Sequence, residues 1–272
     1  MKFVPLPKRK LLISVYETRL RDYIAFSEAE NAVLPDWRVG LANPRKQIRG
    51  FTKGREAKSE RSEKLSTWDT PGFPQTPDHP VTGVDLIEAR LFCAWLTWRE
   101  QRDGRLSPSQ FYRLPTDDEW SLAAGMPPET LLDVQERHRS IPRTQALHPW
   151  GTSWPPPPGF GNYAGTEARD ANWPAAWTTI EGRNDEFPRT APVGRFAETS
   201  TGLFDMWGNV WEWCADWYDN TLKGGVDPTG PSSTGCRVFR GGGWKNGVVT
   251  ECKAAIRLYE LPSDRCDELG FR

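Results

Sequence analysis

Between Asp85 and Arg102 the apolar side chains recur at helical spacing: Ile87, Leu91, Trp95 and Trp98 form one stripe, with Phe92 and Leu96 beside it. That period predicts an α-helix buried along one side. Asp85 stands where an N-cap belongs, Glu88 three residues on completes a capping box, and Asp103-Gly104 ends the element. A second, shorter helix is predicted in RLPTDDEWSLAAG. There Pro115 blocks the preceding turn, Thr116 caps, Glu119 closes the box, Trp120 and Ala123 face inward, and Gly125 stops it. A third is expected over Thr18–Ser27, with Thr18 as cap and Leu20, Tyr23 and Ile24 on one face.

Elsewhere the pattern fades. Asn31 to Pro80 is polar and punctuated by Gly and Pro, and the mixed-sign run Lys53–Lys64 reads as an exposed loop. From His148 to Gly235 turn residues and tryptophans dominate, so aromatic packing or bound metal must hold what ladders do not. Short strands are expected over Cys236–Gly242 and in the final LGFR. The pattern gives an α+β class with no internal repeat and no linker, one domain over residues 1–272.

Composition sharpens this picture. The 272 residues include 24 Gly, 24 Pro and 14 Trp, at a mean hydropathy of −0.65. Each Trp covers a large apolar area and offers one N–H to a nearby carbonyl, so loops can be pinned without much regular structure. The net charge of −1 leaves no basic footprint for nucleic acid. No segment reaches the apolar length of a membrane span, and Leu11–Tyr16 is too short for a signal peptide. The expectation is a cytoplasmic protein that binds neither nucleic acid nor membrane. Five widely spaced cysteines (Cys93, Cys214, Cys236, Cys252 and Cys266), with no Cys-x-x-Cys, read as buried thiols.

Several phrases in order resemble the formylglycine-generating enzyme (sulfatase-modifying factor) family. They are HPVTGVDLIEARLFCAWL (79–96), YRLPTDDEWSLAAG (112–125), HPWG (148–151), TAPVGRF (190–196), GLFDMWGNVWEWCADWY (202–218), RVFRGGGW (237–244) and LGFR. SVYETRLRDYIAFSEA (14–29) is similar to the family's opening segment, while residues 31–77 match poorly and read as a loop insertion. The resemblance implies a variant of the C-type lectin fold, Trp-rich, low in regular structure, with metal-stabilised loops.

It also implies two structural calcium sites. One uses the Asp205 and Glu212 side chains with the Gly208 and Val210 carbonyls. The other uses the Asn162 side chain, the Tyr163 carbonyl, the Asp185 side chain and the Phe187 carbonyl. Calcium takes six to eight oxygens, and carbonyls serve as readily as carboxylates. Read without the family, Asp205 caps a turn and Glu212 pairs with an arginine.

Catalytic members of the family hold copper(I) on two cysteines five apart, just after the Gly-rich segment. Here the first position falls on Asn246 and the second near Val249–Glu251; Cys252 has no partner at that spacing. A soft thiolate pair suits copper(I) and an amide does not, so copper is not expected and no catalytic residue is assigned. His79 and His148 sit in family motifs and read as structural, and Gly241–Gly243 reads as a backbone crossing in a tight core.

Two functions remain. The first is a non-catalytic module that binds a protein or peptide at a C-terminal face built from Trp244, Lys245, Asn246, Leu258, Tyr259 and Glu260. Non-catalytic relatives include domains fused to bacterial serine/threonine kinases, whose openings MKFVPLP resembles, and variable proteins of diversity-generating retroelements. The second is a copper oxygenase acting on protein cysteine, or a relative with altered chemistry at Cys252.

Overall fold

The computed structural model describes residues 1–31, 66–126, 148–170, 172–219 and 235–272. The Lys53–Lys64 run and residues 32–65 of the expected insertion lie outside it.

The long predicted helix is present. α2 spans Leu86–Arg102 (α1 is described below), and Asp85 and Glu88 form the reciprocal capping box. Leu91, Phe92, Trp95 and Leu96 are buried, while Ile87 and Trp98 lie at the margin. Helix α3, Asp117–Ala123, carries the same device: Thr116 Oγ1 accepts from the Glu119 N–H at 3.2 Å, and Glu119 reaches back to the Thr116 N–H at 2.8 Å. Gly125 follows at φ 77°.

Helix α1 runs Leu20–Asn31, later at both ends than the expected Thr18–Ser27. Thr18 does not cap it. Its N–H goes to Phe271 O, and its carbonyl accepts from Val81, so the residue is tied into the core before the helix begins.

Two strands near the start form a hairpin that the sequence reading missed. β1 (Phe3–Pro5) pairs antiparallel with β2 (Leu12–Ser14). The main sheet contains β3 (Trp211–Trp217), β4 (Arg237–Arg240), β5 (Leu258–Glu260) and β6 (Leu269–Gly270) in the order β5-β4-β3-β6. β4 is antiparallel to β3 and β5, and β6 runs parallel to β3. The expected strands at 236–242 and LGFR are therefore present. β3 was hidden because residues 211–214 are all buried, which erases the alternation that marks a half-exposed strand.

The sheet separates two apolar clusters. Trp211, Trp213 and Phe239 join α1 and α2 in one, with Tyr23, Phe26, Phe92, Trp95 and Phe271. Cys214 and Val238 point the other way, towards Trp120, Tyr163, Leu203, Met206 and Cys252. Successive strand residues alternate faces, so Glu212 projects to the second side, where Trp120 Nε1 donates to it at 2.9 Å. Buried ion pairs stitch the loops to this frame. Arg240 is bonded to Asp117, Ser121 and the carbonyls of Ala254 and Ile256.

Candidate functional site

β4 ends at Arg240, and the chain turns through three glycines. Gly241 and Gly242 have φ of 104° and 86°, which favours glycine. A side chain at Gly243 would meet the Trp211 ring at 3.0 Å. The segment is thus a backbone crossing, as its sequence suggested, with Gly208 N–H donating to Gly241 O and Trp244 N–H to Asn209 O.

Beyond the crossing, Trp244 is buried and its indole donates to Asp267 O at 3.1 Å. The Lys245 ammonium pairs with Asp267 and lies 4.9 Å and 5.0 Å from the ring centres of Trp177 and Trp244. Asn246 is buried with both ends of its amide engaged: Oδ1 accepts from the Gly243 N–H, and Nδ2 donates to Glu251 Oε2 at 2.9 Å. Beside it opens a cleft of about 250 Å³ lined by Trp177, Lys245, Asn246, Gly247, Glu251 and Glu268.

This cleft brings together Lys245 and Asn246 of the expected ligand face. Leu258, Tyr259 and Glu260 do not line it. They form the edge strand β5, where Tyr259 packs on Tyr218 at 4.1 Å. Trp177 was not foreseen: it carries no motif and joins Glu251 and Glu268 at the cleft only through the fold.

The cysteines do not assemble at the cleft. Cys252 is packed in the second apolar cluster and Cys266 against the first. Burial pushes both thiols well above their ordinary range. At the position that resembles a copper cysteine stands an amide already spent on protein partners, so the residues here do not fit copper(I). His79 bonds Thr190 Oγ1 at 2.9 Å, and His148 bonds Cys252 O at 3.0 Å while stacking on Trp150.

The two segments expected to hold calcium lie side by side, joined by an Asn162–Gly208 bridge and by Asn162 Nδ2 donating to Asn209 Oδ1 at 3.1 Å. Around Asp205 and Glu212 three buried carboxylates (Glu17 is the third) share one guanidinium, that of Arg272. Arg272 donates to both Glu212 oxygens, at 2.6–3.0 Å, and to the carbonyls of Ser14 and Phe204. Burial first, and then the neighbouring carboxylates, raise Glu17 strongly. Burial chiefly lifts Asp205 to about 7. Asp205 Oδ2 accepts from the Gly194 N–H, while Oδ1 is buried with no partner among the described residues. Both features of the plain reading are therefore present: Asp205 ties a turn, and Glu212 pairs with an arginine. Calcium fits this segment only in part, at Asp205 Oδ1 and the loop carbonyls, because Glu212 is saturated.

The second segment offers more unpartnered oxygens, although its Asp185 also pairs with the buried Arg183 at 3.5 Å. Asp185 accepts from the Tyr163 and Phe187 N–H groups at 3.0 and 3.2 Å. Burial and the nearby Glu167 carboxylate raise it to about 6. Asn162 Oδ1 and Glu167 Oε2 are buried without partners among the described residues. Glu167 was missed because nothing marks one loop carboxylate in sequence. These oxygens, with the Tyr163 and Phe187 carbonyls, would hold the ion, which would supply charge neutralisation and loop order rather than an open coordination position.

A loop-built, Trp-rich domain with a small sheet and a glycine crossing after its second strand is of the formylglycine-generating type. The chain belongs to the sulfatase-modifying factor enzyme 1-like domain family, whose model matches residues 8–272. It is 29% identical over 218 residues to the formylglycine-generating enzyme of Thermomonospora curvata, covering 75% of this chain and 60% of that protein. It is 27% identical over 206 residues to the inactive C-alpha-formylglycine-generating enzyme 2 of Mus musculus, covering 74% and 50%. A serine/threonine-protein kinase, pkn1 of Chlamydia caviae, matches at 27% over 209 residues, 74% of this chain and 24% of the kinase. Among solved structures, Treponema denticola variable protein 1 is similar with a TM-score of 0.49 at 21% identity, covering 76% of each chain. The family holds both enzymes and inactive members, and this chain spans about half the length of the curated relatives named first. No helix among the described residues is long and apolar enough to cross a membrane.

Proposed function

We propose that this domain is a non-catalytic binding module whose ligand enters the cleft beside Asn246. One observation carries the reading: where a copper-binding thiolate would be needed, Asn246 is locked between the Gly243 N–H and Glu251. A neutral amide with both ends occupied offers copper(I) no donor. Cys252 and Cys266 are packed in opposite apolar clusters and their thiols are held protonated by burial. The inactive mouse relative and the match within a kinase support a non-catalytic, appended role, for which a protein or peptide is the ligand in this reading. Calcium, in this reading, is structural and sits chiefly at Asn162, Glu167 and Asp185.

The test is a copper(I) competition titration against a chromophoric chelator, with Asn246→Cys and Cys252→Ser beside the parent. The parent is expected to take no copper(I) from the chelator. One tight equivalent in the parent, abolished by Cys252→Ser, would favour the oxygenase instead.

A further inference from the structure

Residues 1–16 carry Lys2, Lys8, Arg9 and Lys10 and no aspartate or glutamate, and the first carboxylate, Glu17, is buried. The β1–β2 hairpin gathers this stretch into one projecting element. Its tip is closed by the Leu6 N–H donating to Leu11 O at 3.0 Å and the Arg9 N–H to Leu6 O at 3.2 Å. Leu6 and Ile13 bury the inner face in the second apolar cluster, and Arg9 ties the tip to Asp118 at 2.6 Å. Lys8 and Lys10, on either side of that anchor, are exposed, and neither forms an ion pair among the described residues.

The outer face of the hairpin is apolar. Pro5 stands opposite Leu12, and both are exposed. Phe3, two residues back on the same face, packs on Tyr112 at 5.1 Å. Tyr112 is held by its N–H donating to Thr97 Oγ1 at 2.8 Å, and Phe111 beside it stands out in solvent. At 63% and 66%, Leu12 and Phe111 are the two most exposed large apolar side chains among the described residues. Single exposed apolar side chains are ordinary. Two such extremes flanking one aromatic stack, beside lysines without carboxylate partners, mark an interaction surface. Carboxylates on the adjoining elements are matched: Glu119 by Arg113, Glu100 by Arg99 and Arg105, and Asp103 by Arg102 and Arg105. The surface therefore keeps its positive excess.

What covers it must be anionic and must admit apolar side chains. The tip is convex, because the chain reverses at Pro7–Lys10, so it offers a peptide no groove and suits a surface that deforms around it. Lysine stems lie along an apolar layer while their ammonium groups stay among polar ones. We propose that the hairpin tip and Phe111 dock this domain on an anionic lipid bilayer, with Leu12 and Phe111 entering the interface and Lys8 and Lys10 meeting the headgroups. Peripheral contact of this kind needs no spanning helix. It departs from the expectation of no membrane partner, which rested on segment length, and it is independent of the cleft beside Asn246.

The experiment is co-sedimentation of the full chain with vesicles of phosphatidylcholine alone and of equal parts phosphatidylcholine and phosphatidylserine, over a salt series. Binding to the anionic vesicles is expected to be about ten-fold tighter or more, and to weaken as salt rises. Lys8→Gly combined with Lys10→Gln should weaken it about ten-fold or more. Lys8 has φ 62°, which favours glycine, so the melting temperature should not fall. Leu12→Ser and Phe111→Ser, both at exposed positions, should each weaken binding several-fold, which a purely electrostatic contact would not show. Equal binding to both vesicles, variants that bind like the parent, or no binding at all overturns the proposal. Tighter binding to polyglutamate than to vesicles would also overturn it, assigning the surface to an acidic protein. So would a dimer abolished by Leu12→Ser, which would assign the surface to a second copy of this chain.

Discussion

Replacing Arg272 with methionine removes a fully buried guanidinium and keeps most of the aliphatic volume. Arg272 and Glu212 have side-chain exposures of 0% and 1%, and the arginine bonds both carboxylate oxygens. The variant leaves Glu17, Asp205 and Glu212 buried together without that charge. It also strips the Ser14 and Phe204 carbonyls of a donor. Breaking a buried pair by deleting one partner costs about 3–5 kcal/mol, and in a domain of this size that is a melting-temperature loss of roughly 10 °C. Urea unfolding at neutral pH with chelator present measures it directly. Adding Glu212→Gln should recover part of the loss, because the unpaired charge disappears while the Trp120 indole keeps an acceptor. A loss below about 1 kcal/mol in Arg272→Met would refute the reasoning. So would a double variant that is less stable than the single one.

Other outcomes follow from the same structure. Thr116→Ala removes the acceptor for the Glu119 N–H and should cost about 1 kcal/mol in denaturant unfolding. Calcium should raise the melting temperature and a chelator lower it, and Glu167→Gln should shrink that difference; an unchanged difference would remove Glu167 from the centre. Asp216 is raised to about 7, first by burial and then by Asp117 beside it. Its folded value lies above the unfolded one of about 4, so its contribution is fully present below about pH 4 and lost as pH rises through about 7. Asp216→Asn should therefore flatten the fall in stability over that window.

The elements written in local chemistry were legible: both capping boxes, the glycine crossing and the strand after Cys236 depend on neighbours in sequence. Elements defined by distant contacts were not. Thr18 resembles a cap, but its backbone pairs with Phe271 and Val81. β3 lost its alternation because both of its faces are covered. Within the site, Asn246 was singled out by a motif position, whereas Trp177 and Glu268 join its cleft, and Glu167 nears Asp185, only through the fold. Leu258–Glu260 looked like a ligand loop because three residues carry too little pattern to show a strand. Arg272 belonged to a quoted motif, yet its partner Glu212 lies 60 residues away in sequence.

The central claim is that this member of the family binds without catalysing. The most direct test is to incubate copper-loaded protein with oxygen and a peptide carrying Cys-x-Pro-x-Arg, and to follow the cysteine by mass spectrometry. The expected result is unmodified peptide at all times, from the parent chain and from Cys252→Ser alike. Multiple turnovers to the aldehyde by the parent, lost in Cys252→Ser, would contradict the account and place the reacting thiol at Cys252.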